Sequence, residues 1–317
     1  MEAAVIVIVA PTCSGKTSLA IELALKLNTE IISADSRQVY KYLNIGTAKP
    51  TDDQRKLVKH YFVDTLYPDE KFNASTFSQE AAKVIDKLKQ DGKIPIAVGG
   101  SGLYIKALID GIIDEVETDE DHRNELYELR KKFGNEYLYD ELKKVDPDSA
   151  SKMLPQNWKR VVRALEVFHL TRKPIAYFHS VQEKRNKFIF KQYGLDWNRP
   201  ELYKNIDLRV DDMISNGLVN EVKSILKMGY NKDINALNTV GYKEIISFLE
   251  NKISLEKAVE LIKRNTRHYA KRQLTWFRKD NRIKWFKVFS ISQFDEISEE
   301  IIRDLSGELS KSGSSIH

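Results

Sequence analysis

Apolar residues gather in short runs along the front of the chain. Ala4-Val5-Ile6-Val7-Ile8-Val9-Ala10 is the first, and others fall at 30–33, 61–63 and 94–98. Runs of this length, closed off by polar residues, predict buried strands. Stretches with helical three-to-four spacing lie between most of them. Alternating strands and helices predict a parallel sheet covered on both faces, with ligands bound at the carboxyl ends of its strands. Three polar clusters fall at those ends: residues 10–17, Ser33-Ala34-Asp35-Ser36-Arg37-Gln38, and Gly99-Gly100-Ser101-Gly102.

The pattern changes over 114–187, which is rich in charge and reads as wholly helical, with helices at 119–133, 135–145, 156–170 and 174–184. Pro147, Pro155 and Pro174 punctuate it as helix starts or breaks. Phe188 to Leu195 then reads as a strand returning to the sheet, and helices dominate to about Lys279. The expected division is therefore a core in two parts, 1–113 and 188–290, a helical insertion at 114–187, and a tail at 291–317 that frays from Ser306.

Composition narrows the class. Of 317 residues 42% are apolar, enough for a core. No stretch approaches the ~20 apolar residues of a membrane helix. Met1-Glu2-Ala3 has no basic leader, so the first apolar run reads as a core strand rather than a signal peptide. The single cysteine, Cys13, permits no internal disulfide, which fits a reducing cytoplasm. With no histidine nearby in sequence, Cys13 reads as a loop filler rather than a nucleophile. The net charge is +5, but Lys263 to Lys284 holds nine positive residues and one acid, Asp280. A segment that basic predicts a polyanionic partner. Arg264, Arg267, Lys271 and Arg278 fall on one helical face, while Trp276 and Phe277 are expected in the core.

Ala10-Pro11-Thr12-Cys13-Ser14-Gly15-Lys16-Thr17, between a strand and a helix, describes a phosphate-binding loop in which Ala10 replaces the usual first glycine. Unpaired N–H groups at the helix start and the helix dipole favour an anion. Lys16 adds a point charge, and Thr17 a hydroxyl that can join a Mg²⁺ shell. The fold class is thus α/β, a P-loop-type parallel sheet flanked by helices, with an all-helical insertion. Asp35, at the end of the second strand, could bind Mg²⁺, accept a proton or cap a helix. Asp64 is a rival acid, ending Tyr61-Phe62-Val63, and the strand before Gly99-Gly100 ends without one. A nucleotide hydrolase needs a clearly placed metal-organising acid, so this pattern weakens a motor or switch ATPase. Gly99, Gly100 and Gly102 would let the backbone approach a ligand, with the Ser101 hydroxyl beside it.

Together these motifs resemble those of tRNA dimethylallyltransferases. The matching stretches are Pro11–Thr17, Ser33–Tyr40, Ile45-Gly46-Thr47-Ala48-Lys49-Pro50, Val98–Tyr104, Arg163–Phe168, Val240-Gly241-Tyr242 and Ala270–Phe277, in family order over about 280 residues. The resemblance implies transfer of a dimethylallyl group from dimethylallyl diphosphate to N6 of the tRNA adenosine 3′ of the anticodon (position 37), with loss of diphosphate. It implies a diphosphate site at Ala10, Pro11, Thr12, Cys13, Ser14, Gly15, Lys16, Thr17 and Arg209, with Thr17 in the Mg²⁺ shell. Asp35 is implied as the base that takes the N6 proton, with Ser101 as a hydroxyl partner where many relatives have Thr. Contacts to the anticodon stem-loop are implied at Asp35, Ser36, Arg37, Gln38, Ser101, Arg123, Lys159, Arg160, Val161, Val162 and Arg163. The basic helix would add Arg267 and Lys271. A cytoplasmic monomer, without membrane attachment and without ATP hydrolysis, is expected. Two departures stand out. Lys159 replaces a Gln, which favours phosphate over base contact, and Asn205 replaces an Arg, leaving Arg209 and the adjacent Lys204. The competing readings are a small-molecule kinase, a non-catalytic RNA-binding protein and an adenylate isopentenyltransferase.

Overall fold

A computed structural model describes residues 4–112, 116–181 and 188–312. Six strands build one sheet: β1 (Val5–Val9), β2 (Ile31–Ser33), β3 (His60–Tyr61), β4 (Ile96–Gly99), β5 (Phe190–Trp197) and β6 (Ile283–Val288). Their order is β3-β2-β4-β1-β5-β6 and every pairing is parallel. β1 runs through the middle, with Val7 opposite Ala97 on one side and Gln192 on the other. All five of its residues are buried, as a strand covered on both faces requires.

The helices are α1 (Lys16–Lys26), α2 (Asp52–Leu57), α3 (Ala74–Gln90), α4 (Gly102–Asp110), α5 (Glu120–Val145), α6 (Pro147–Ala150), α7 (Trp158–Thr171), α8 (Ile175–Val181), α9 (Arg199–Ser215), α10 (Leu218–Lys227), α11 (Tyr242–Leu249), α12 (Leu255–Phe277) and α13 (Phe294–Ser312). None among the described residues is long and apolar enough to cross a membrane.

The chain divides into two compact units, Met1–Ile109 with Lys187–His317, and Asp110–Asn186. The second corresponds within a few residues to the segment read as an insertion. Its core is Leu126, Leu138 and Leu142 against Val161, Val162 and Leu165. Gly134, at φ 87°, breaks α5 between the two helices expected there. The end of the expected helix at 174–184 falls outside the described residues beyond Val181. In the first unit, one cluster joins Ile6, Ile8, Leu19 and Leu23 to Ile297 and Ile301. Another packs Val39, Tyr40 and Leu43 against Val222, Tyr242 and Ile262.

Several expectations need correction. β6 was not foreseen: Lys284 and Lys287 interrupt its apolar run, because the strand lies at the sheet edge and only Ile283, Phe286 and Val288 are buried. The strand expected at 61–63 stops at Tyr61, where Phe62 turns to φ 61°. α13 runs to Ser312 and docks through Phe294, Ile297 and Ile301, so the basic helix, α12, is not the last one. Phe277 is buried as expected, but Trp276 is 45% exposed.

Candidate active site

The turn between β1 and α1 lies over the carboxyl edge of the sheet. Cys13 (φ 62°) and Gly15 (φ 75°) both adopt the left-handed region. Phe294 also stands behind Gly15, its ring 2.7 Å from where a Cβ would be, so a side chain there meets both strain and a clash. Two long-range hydrogen bonds fix the loop. Trp197 Nε1 donates to the Ser14 carbonyl at 2.9 Å, and the Thr12 amide donates to Gln273 Oε1 at 2.9 Å. Cys13 is buried and its sulfur lies 3.7 Å from the Thr12 hydroxyl, a filler's place.

Lys16 is half-buried at the wall of the cavity. Burial pushes its ammonium pKa down, Asp35 pulls it back up, and Arg209 pushes it down again. Arg209, on α9, has no ion-pair partner among the described residues. Lys16 and Arg209 therefore face one space with Asp35 as the acid beside them, an excess of positive charge that suits a multiply charged anion. Asp35 divides its carboxylate. Oδ1 accepts from the amides of Arg37 (2.9 Å) and Gln38 (3.3 Å), which fixes the turn. Oδ2 has no hydrogen bond among the described residues. The phosphate loop, Asp35, Arg209, Tyr269 and Arg272 line one cavity of about 550 Å³, within the range of small-molecule sites. Burial, reinforced by Asp35, pushes the Tyr269 phenol up to about 12, so it stays a neutral donor.

The glycines after β4 do not open a path for a ligand. A Cβ at Gly99 would stand 2.1 Å from the Ala34 carbonyl oxygen, at Gly100 2.2 Å from the Gln273 amide, and at Gly102 2.3 Å from the Trp276 ring. Their missing side chains let protein pack against protein. Ser101 follows suit: its hydroxyl accepts from the Ser36 amide at 3.0 Å, docking the Asp35 turn onto the β4 loop, and it does not line the cavity. Asp64 is no metal-organising acid. One oxygen pairs with Lys49 and the other with Arg55 at 2.5 Å.

Gln273 falls within the Ala270–Phe277 stretch, and only the fold shows what it does. It holds the Thr12 amide and, through Nε2, donates to the Gly100 carbonyl at 2.8 Å, clamping two loops from a buried position. Its signal was available: Ala270, Gln273 and Phe277 share the buried stripe of α12, where a polar residue needs partners. Gln273→Ala strands both and should lower stability by about 2 kcal/mol and raise the KM for donor. Chemical denaturation and steady-state kinetics would check this, and unchanged values would remove the clamp from the argument. Glu221 was also missed. Its carboxylate accepts from the amides of Asn44, Ile45 and Gly46 (2.8–3.2 Å) and from the Tyr242 hydroxyl at 2.6 Å, shaping the loop that Lys49 closes.

A family model described as IPP transferase matches residues 38–280. The chain belongs to the IPP transferase family. The tRNA dimethylallyltransferase of Thermoanaerobacter sp. (strain X514) is 44% identical over 309 residues, covering 96% of this chain and 98% of that protein. The one from Acetivibrio thermocellus is 46% identical over 304 residues, covering 95% and 96%. The crystal structure of the full-length tRNA isopentenylpyrophosphate transferase from Bacillus halodurans superposes with a TM-score of 0.73 at 36% identity, covering 98% of this chain and all of that one. A eukaryotic dimethylallyltransferase acting on tRNA gives 0.81 at 28% identity, covering 97% of this chain and 79% of that one.

In this IPP transferase the residues suggested for RNA contact fall into distinct surroundings. Ser36 and Gln38 border the cavity, and Gln38 also donates to the carbonyls of Thr47 (3.3 Å) and Ala48 (3.1 Å). Arg37 borders it too and reaches the Asn235 carbonyl at 2.7 Å. Lys159 and Arg160 are exposed on α7. Val161 and Val162 are core residues of the helical unit, so only their backbone is left to meet a ligand. Arg123 and Arg163 converge on the buried Glu166 at 2.8 and 2.6 Å, which offsets their charge within that unit. The positive face of α12 is likewise partly neutralised, Arg267 by Asp207 and Arg278 by Asp196, while Arg264 and Lys271 stay exposed. Asn205 shares with Arg209 the wall of a neighbouring cavity, and Lys204 lines neither cavity.

Proposed function

We propose that this chain transfers the dimethylallyl group of dimethylallyl diphosphate to N6 of the adenosine 3′ of the anticodon in tRNA, releasing diphosphate. The carrying observation is the cavity lined together by the phosphate loop, Arg209 and Asp35, whose Oδ2 has no hydrogen bond among the described residues. The C1–O bond of the donor breaks as N6 attacks C1, and the electron pair leaves with the diphosphate. Lys16, Arg209 and the amides at the start of α1 stabilise that growing charge. The exocyclic amine is a weak nucleophile, so Asp35 Oδ2 holds it and receives its proton as the C–N bond forms. Tyr269 supplies a hydroxyl donor on the same wall.

Mg²⁺ suits this site as a companion of the donor. Among the described residues no cluster of three or more metal-ligating side chains exists. Mg²⁺ needs none where substrate phosphates, water and one hydroxyl supply its shell, and Thr17 lines the cavity to give that hydroxyl. When bound, it would offset charge on the leaving diphosphate.

Labelled dimethylallyl diphosphate offered in parallel with an anticodon stem-loop, AMP and ATP tests the reading. Label is expected in the RNA alone and lost when the target adenosine is replaced by guanosine. Label in AMP would instead identify an adenylate isopentenyltransferase.

A further inference from the structure

Beside the substrate space lies a much smaller cavity of about 10 Å³, which shares Lys16, Thr17, Asp35, Gln38 and Pro50 with it. Its polar wall is Lys16, Thr17, Ser33, Asp35, Gln38 and His60. His60 comes from β3, in the register where it lies beside Ile31 of β2, and no motif considered for this chain includes it. Its Nδ1 is 2.8 Å from the Val58 carbonyl oxygen. A carbonyl can only accept, so Nδ1 carries the proton and Nε2 presents a lone pair. Burial pushes the imidazole pKa down, against the Val58 hydrogen bond and with help from Arg55, so the ring stays neutral. Nε2 itself is buried and finds no protein partner.

A buried acceptor of this kind needs a donor. The space is that of one water, and the wall offers the two to four polar partners a buried water requires. We propose that this cavity holds one ordered water linking His60 Nε2 to the Asp35 carboxylate, which makes His60 a positioning residue for the base. The water donates one hydrogen to Nε2 and the other to Asp35, and accepts from the Lys16 ammonium. Because Nε2 and the carboxylate can only accept, the direction of both bonds is set, and the carboxylate is held in place. The kinetic part of this inference rests on Asp35 acting as the base; the water itself does not.

Two measurements test it. A crystal structure at about 1.5 Å should reveal density within hydrogen-bond reach of His60 Nε2, and an empty cavity overturns the proposal whatever Asp35 does. His60→Leu should lower kcat about tenfold, with the KM for donor and the RNA Kd little changed, while His60→Gln, whose amide can accept at the same place, should recover most of the loss. In an Asp35→Asn background His60→Leu should cost nothing further. Equal loss in the Leu and Gln variants, or a full additional loss in that background, overturns the positioning role. Wild-type turnover in Asp35→Asn alone overturns the base assignment instead, so the two failures are told apart.

Discussion

Asp35→Asn should lower turnover about a thousandfold while tRNA affinity stays within a few-fold. The substitution is nearly isosteric. The amide oxygen can still accept from the Arg37 and Gln38 amides that Oδ1 now serves, so the turn survives. The other oxygen becomes an NH₂ group, which cannot take a proton from N6. Asp35 also supports the charge on Lys16, so the KM for donor should rise as well. Single-turnover rates separate the chemical step from donor binding, and fluorescence anisotropy gives the RNA Kd. A variant that turned over at the wild-type rate, or lost RNA binding in step with rate, would remove proton transfer from Asp35.

Glu166→Ala should unfold the helical unit early, with a loss of about 3 kcal/mol. The Glu166 side chain is fully buried. Oε1 accepts from the Asp119 amide at 3.0 Å, and Oε2 from both arginines. Arg163 also donates to the carbonyls of Val116 (2.8 Å) and Glu117 (3.2 Å). Removing the carboxylate leaves two guanidinium groups side by side and an orphaned amide at the start of α5. The arginine side chains are 22% and 28% exposed, so water relieves part of the repulsion, which sets the estimate at the lower end for a broken buried pair. Glu166→Gln keeps acceptors for the amide and should cost less. Thermal unfolding by circular dichroism reads the difference, and a wild-type midpoint for Glu166→Ala would mean the pairs are not structural.

The extent to which the chain could be read differs by region for physical reasons. β1, the phosphate loop and α1 were plain, because a buried apolar strand leading into Gly-Lys-Thr is local in sequence. The helical unit was equally plain, since its spacing and its prolines are local signals. β6 was hidden because this edge strand is only partly buried, and Lys284 and Lys287 masked it. Gly99, Gly100 and Gly102 misled for another reason. A glycine announces a close approach but not what approaches, and here it is Ala34, Gln273 and Trp276. Val161 and Val162 sit beside the exposed Lys159 and Arg160 in sequence but turn into the core, because neighbours on a helix point to different faces. Gln273, Glu221 and His60 escaped because their partners lie far along the chain, or are not protein at all.

The ring of Phe294 behind Gly15 has a consequence for synthesis. The phosphate loop emerges from the ribosome early, yet the wall that backs it comes from a helix nearly the whole chain later. At ordinary elongation rates that delay is on the order of tens of seconds. A nascent chain carrying Lys16 and Asp35 but not yet Phe294 has the reacting groups without the surface that shapes them. Activity should therefore switch on late in translation, and the enzyme would not engage tRNA bound to the ribosome that is making it.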